Sequence, residues 1–124
     1  MTSEITLTRA EFALALTEAG LDVKAYVPER VIPPVVIMNA GSPYLSPANL
    51  SNDYQLNLDL TLVANQATNE TATETLDQLI QDVILAIEPL NYAVFTDVSK
   101  PFMLSANNAD YLAATLTINL YINL

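Results

Sequence analysis

Three observations predict an α+β fold for this chain: a mainly antiparallel, twisted sheet of four to five strands with two helices packed on one face. The first is strict alternation. In "YQLNLDLTLVAN", Tyr54, Leu56, Leu58, Leu60, Leu62 and Ala64 point one way. Gln55, Asn57, Asp59, Thr61 and Asn65 point the other, with Val63 the one exception. At about 3.3 Å per residue such a strand runs roughly 40 Å, about twice the usual length. The second is a matching run at the end of the chain, "YLAATLTINLYINL". There Leu112, Ala114, Leu116, Ile118, Leu120, Ile122 and Leu124 are expected to face the core, with Tyr111, Ala113, Thr115, Thr117, Asn119, Tyr121 and Asn123 facing outward. The third is helical periodicity in two other segments. One polar face on each long strand implies a sheet covered on one side only.

The elements follow in the order α-β-β-β-α-β-β. "TRAE" from Thr8 to Glu11 has the form of a capping box. It predicts a helix from about Arg9 to Ala19 with Phe12, Leu16 and Ala19 on one face and Gly20 at the C′ position. Leu14 falls beside the polar stripe of Glu11 and Glu18. "VKAYVP" reads as a short strand ended by Pro28, and "ERVIPP" as irregular. "VVIMNA" from Val35 reads as a short apolar strand. "GSPYLSPANLSND", from Gly41 to Asp53, reads as a long loop, mobile until a neighbour covers it.

After the quoted strand, Thr71 and Glu74 form a second capping box. The helix they open carries Leu76, Leu79, Ile80, Val83, Ile84 and Ile87 on one stripe and ends at Pro89. Leu85 falls on its polar face. "YAVFTDV" alternates loosely, "KPFMLSA" continues or bends it at Pro101, and "NNAD" is a turn signal before the last strand. No linker or internal repeat breaks the 124 residues, so residues 1–124 are expected to form a single domain.

Composition narrows the function. The chain carries 14 acidic and 4 basic residues, a net charge of −10. A phosphate-binding basic face is excluded on those numbers, and with it specific nucleic-acid binding. Apolar runs are short, so no membrane span is expected. The start "MTSEITLTRAEF" lacks the charged and apolar regions of a signal peptide. There is no histidine and no cysteine, which removes the common triads, thiolate chemistry and most transition-metal sites. Glycine occurs only at Gly20 and Gly41, too few for a phosphate-cradling loop. No carboxylate pair sits among aromatics as a sugar cleft would need. The reading is therefore no enzyme, no cofactor and no metal.

What remains is surface. The outward faces of the two long strands are polar but nearly uncharged, a composition that suits a face covered intermittently by protein. The candidate interface residues are Tyr44, Leu45 and Leu50 of the long loop, Leu14 and Leu85 on otherwise polar helix faces, and Tyr121.

At these residues the chain resembles a family. "GSPYL" from Gly41 to Leu45, "LTLVAN" from Leu60 to Asn65, "TETLDQLIQDV" from Thr73 to Val83 and "PFMLSANNADYLAA" from Pro101 to Ala114 are similar, in order and spacing, to a pattern in tail terminator proteins of long-tailed bacteriophages, especially those of actinobacterial hosts. The likeness runs from about Tyr26 to Tyr121, and the chain departs from many such proteins in having less Gly and Arg. The resemblance implies a structural virion protein that forms a ring, usually a hexamer, on the head-proximal end of the tail tube. Such a ring stops tube polymerisation and joins the head. Its partners would be further copies of itself, the tail tube protein and a head-neck connector protein, with assembly in the host cytoplasm and a place in the virion neck. DNA would pass through the lumen past an acidic wall. Another neck component, such as a head-completion protein, is the related alternative. A monomeric ligand-binding module with the loop from Gly41 to Asp53 as a lid is the alternative of a different class.

Overall fold

A computed structural model of the chain describes residues 3–24, 32, 34–48, 53–64, 69–106 and 109–124. Its fold is α+β: two helices and a mixed, mostly antiparallel, open sheet of six strands, one more than the upper count expected. In chain order the elements are α1 (Glu4–Glu18), β1 (Val23–Lys24), β2 (Val35–Pro47), β3 (Asp53–Val63), α2 (Asn69–Ile87), β4 (Ala93–Val98), β5 (Phe102–Ala106) and β6 (Ala109–Asn123). The sheet runs β1-β2-β3-β6-β4, with β5 also on β6. The β1–β2 pair is parallel and all the others are antiparallel.

The two alternating runs of the sequence are adjacent strands at the centre. β3 and β6 pair without a register shift from Asp53↔Asn123 to Val63↔Ala113. Leu56, Leu58, Leu60, Leu62 and Ala64 are therefore on the same face as Ala114, Leu116, Ile118, Leu120 and Ile122, and all are buried. Phe12 and Leu16 of α1 and Leu76, Leu79, Val83 and Ile87 of α2 close the same core, so both helices lie on one face as expected. Val63, out of step with its strand, joins Val35, Ile37 and Ala113 in a small second cluster on the other face, partly covered by Leu104 and Tyr111. Ala113 thus faces outward and is still buried. Leu124, expected in the core, is exposed.

Helix ends differ from expectation for local reasons. α1 begins before the Thr8 capping box. Ser3 is its N-cap, its side chain accepting from the Thr6 N–H at 3.1 Å. Thr8, already inside the helix, instead donates its hydroxyl to the Glu4 carbonyl at 2.8 Å. At the other end Gly20 is the C′ residue, with φ +93°. Its N–H reaches the Thr17 carbonyl and that of Leu21 reaches the Leu16 carbonyl, the two bonds of a Schellman motif. α2 likewise starts at Asn69, which puts Thr71 within the helix rather than at its cap. It ends at Ile87, with Pro89 just beyond.

The largest correction concerns the expected loop from Gly41 to Asp53. Its first part is strand: β2 continues to Pro47 and pairs Leu45↔Leu56, Ser46↔Gln55 and Pro47↔Tyr54. Between Ala40↔Leu58 and Leu45↔Leu56 the register shifts, so that residues 41–44 stand against Asn57 alone. Here Asn57 Nδ2 donates to the Pro43 carbonyl at 2.7 Å, holding the bulge closed. Gly41 is needed for contact: a Cβ there would lie 2.8 Å from the Asn57 carbonyl oxygen. The prolines that signalled a loop are tolerated because this stretch of β2 has a partner on one side only. The rest of the expected loop, 49–52, and most of "VKAYVP" and "ERVIPP" lie outside the described residues.

Candidate assembly surfaces

The candidate residues do not form one patch. Tyr44 and Leu45 lie in β2, half-buried and packed against the main core rather than free on a loop. The Tyr44 hydroxyl accepts from Arg9 Nη1 of α1 at 3.3 Å, tying the first helix to the bulged strand. Leu50 lies outside the described residues. Leu14 and Leu85 do project from the outer sides of α1 and α2, 57% and 55% exposed. Tyr121 is 41% exposed on the opposite side of the molecule, beside Gln55, whose Nε2 donates to its hydroxyl at 3.3 Å. The helix layer and the open sheet face are thus separate surfaces.

The open face is built from cross-strand pairs of polar residues, nearly all uncharged. Gln55 faces Tyr121, Asn57 faces Asn119, Asp59 faces Thr117 and Thr61 faces Thr115. Hydrogen bonds knit this layer together. Asn39 Nδ2 donates to Thr61 Oγ1 at 3.0 Å, Asn123 Nδ2 to Asp53 Oδ1 at 2.9 Å and Asn119 Nδ2 to Thr96 Oγ1 at 3.4 Å. Bonded to one another, these side chains range from half-buried to exposed, with no helix above them among the described residues, and most carry no charge to be stripped of water by a partner.

Charge collects on the other side. Glu4, Glu11 and Glu18 belong to α1, and Glu70, Glu74, Asp77 and Asp82 to α2. Tyr92, just before β4, feels this layer. Burial, and then the negative charge of Glu11, raise its phenol above the ordinary tyrosine range. Among the described residues no three acidic side chains converge as a metal site would need.

Sequence reasoning missed one surface. Val94, Phe95, Phe102 and Met103 are exposed along β4 and β5, which together line one edge of β6. A groove beside them is lined by Ile84, Ile87, Glu88, Ala93, Val94 and Phe95, between the end of α2 and β4. The signal was present in "FMLSA", an apolar run with neither helical nor strand periodicity. An exposed Phe and a buried one look alike in a single sequence. Comparison with protein-family models and with curated proteins finds no match for this chain.

Proposed function

We propose that the chain is a structural virion protein of the tail terminator kind. It assembles as a hexameric ring on the head-proximal end of a phage tail tube, ends tube growth and offers the surface that joins the head. The observation that carries this reading is the open sheet face. Half of this molecule's central sheet presents a broad, hydrogen-bonded and nearly uncharged surface from Asp53 to Val63 and from Ala113 to Asn123. Such a face can be covered by a neighbouring subunit with little charge to desolvate, Asp53 and Asp59 being its charged members. The sequence motifs similar to those of tail terminators give the kind of assembly. The acidic helix layer is the surface that would repel DNA in a lumen. A lid-and-ligand reading is weaker, because the segment that would serve as the lid begins as a strand paired to β3.

The test is assembly on tails. Light scattering and negative-stain images should show rings, alone or on tube ends. Tyr121→Ala or Leu85→Asp should give tails of abnormal length, or tails without heads, while the protein still folds. Normal length histograms from both variants, with a chain that never decorates tube ends, would overturn the reading. Binding to heads but not to tubes would instead favour a head-completion protein.

A further inference from the structure

The edge formed by β4 and β5 is self-complementary about one residue, Val98. Positions along it can be counted off against β6. Val94 lies opposite Asn119 and Phe102 opposite Ala113, three places to either side of Leu116, the partner of Val98. Ala93 lies opposite Leu120 and Met103 opposite Leu112, four places to either side. Neighbours on β6 alternate between the faces, so Val94 and Phe102 share the polar face, while Ala93 and Met103 share the helix face. The free edge is also correctly presented at the centre. The Ser99 N–H is bonded to the Thr115 carbonyl at 2.7 Å, so antiparallel alternation turns the Val98 N–H and C=O away from β6. Irregularities lie on both sides of this point. There is a register shift between Phe95 and Asp97, and four residues span three β6 positions between Val98 and Phe102. The stretch between them, from Asp97 to Lys100, is short.

We propose that a second copy of this chain docks antiparallel on the β4–β5 edge about a two-fold axis at Val98. Val94 of each copy then meets Phe102 of the other on the polar face. On the helix face Met103 of each copy meets Ala93 of the other and enters the groove that Ala93 lines with Ile84, Ile87, Val94 and Phe95, with Glu88 as its one charged residue. Met103 is 61% exposed in the single chain. An unbranched thioether suits an irregular apolar groove.

Charge selects a second copy as the occupant. In a chain of net charge −10, most of the surface repels its own kind. From Ala93 to Met103 the edge carries Asp97 and Lys100, which cancel. Of the other exposed leucines, Leu7 and Leu14 lie on a helix with Glu4, Glu11 and Glu18, and Leu85 on one with Glu70, Glu74, Asp77 and Asp82, where a second copy would bring like charge. The other sheet edge is blunted by the β2 bulge, Pro43 and Pro47. A two-fold contact closes on itself, so the pair does not propagate into fibres.

The proposal concerns the free chain and does not rest on the terminator reading. Sedimentation of the wild-type chain across a concentration series should show a species of twice the 13.5 kDa monomer. Met103→Asp should weaken the dimer by about tenfold or more, as removal of a central contact does, with an unchanged circular dichroism spectrum, and Met103→Leu should retain it. The cysteine-free chain allows a register test. In an antiparallel hydrogen-bonded pair the two Val98 Cα atoms would lie about 5.5 Å apart, inside the disulfide range of about 4.4–6.8 Å. Val98→Cys should therefore form a covalent dimer under mild oxidation, while Gln81→Cys on α2 should not. A wild-type chain that stays monomeric throughout, or a dimer indifferent to Met103→Asp, overturns the proposal. So does any oligomer in which Val98→Cys fails to cross-link, and that outcome leaves the tail-assembly test standing.

Discussion

The β3–β6 seam and the outer strands of the same sheet obey different rules. On the seam each strand has a neighbour on both sides for much of its length, and the pairing from Asp53↔Asn123 to Val63↔Ala113 never slips. At the margins, β2 carries a bulge at residues 41–44 and β4 carries one next to Asp97. The difference is one of constraint. A slip of one residue on the seam would turn a row of leucines into water and a row of Asn and Thr into the core. A slip at a margin exposes little, so turns, prolines and bulges are tolerated there, and they keep the edges from forming endless ladders.

The sharpest way to break this contrast is to cut the seam. Leu58→Ala or Leu116→Ala removes a fully buried side chain from one or other of two adjacent strands, on the same face of the sheet, and should lower stability by about 2–5 kcal/mol in denaturant unfolding. A loss below about 1 kcal/mol would mean that the seam repacks freely. Next is the β2 bulge. Gly41→Ala forces a methyl against the Asn57 backbone and should cost about 1–3 kcal/mol, since backbone rather than a side-chain tip must move. An unchanged denaturation midpoint would show that this margin is softer than its geometry implies.

Titration at the start of β4 gives a narrower effect. The Tyr92 phenol is raised above its ordinary value, so the folded state favours its neutral form. Its contribution is fully present below the ordinary tyrosine range near pH 10. It falls as pH rises through that range and is gone above the raised folded value. Tyr92→Phe should remove this part of the alkaline loss of stability; identical alkaline profiles for the two proteins would contradict the assignment. Smallest of all should be Leu14→Asp and Leu85→Asp. Both sites are more than half exposed, and each change should alter stability by no more than about 0.5 kcal/mol. A large loss in either would place that leucine inside the fold rather than on a surface.

The same contrast explains what could be read in the sequence. The alternation of β3 and β6, the stripe of α2 and the Gly20 cap are each fixed by a local period or a special backbone angle, and they were legible. The class of fold followed, because one polar face per strand leaves room for helices on one side only. The extension of β2 through Pro43 and Pro47 was not legible. Its hydrogen bonds go to β3, and nothing within the segment announces a partner in another part of the chain. Helix starts failed for a related reason: Ser3 and Thr8 are both good caps, and which one serves depends on how far the helix continues. Of the candidate surface residues, Leu14, Leu85 and Tyr121 stood out correctly as exposed, because a wrong residue on a polar face is a local anomaly. Tyr44 did not, since its contact with Arg9 joins residues 35 positions apart.

Ser99 is fastened to β6 at two points. Its N–H bonds the Thr115 carbonyl at 2.7 Å, and its own side-chain oxygen, instead of a main-chain carbonyl, accepts the Thr115 N–H at 2.9 Å. A single hydroxyl thus rivets the link between β4 and β5 to β6 just before Pro101. With the rivet in place, forces on one half of the edge are passed to the other, and the two short strands behave as one bent beam. Without the hydroxyl, as in Ser99→Ala, only the main-chain bond to the Thr115 carbonyl would remain, the two halves would be coupled more loosely, and any contact that needs Val94 and Phe102 at a fixed spacing would have a softer ruler.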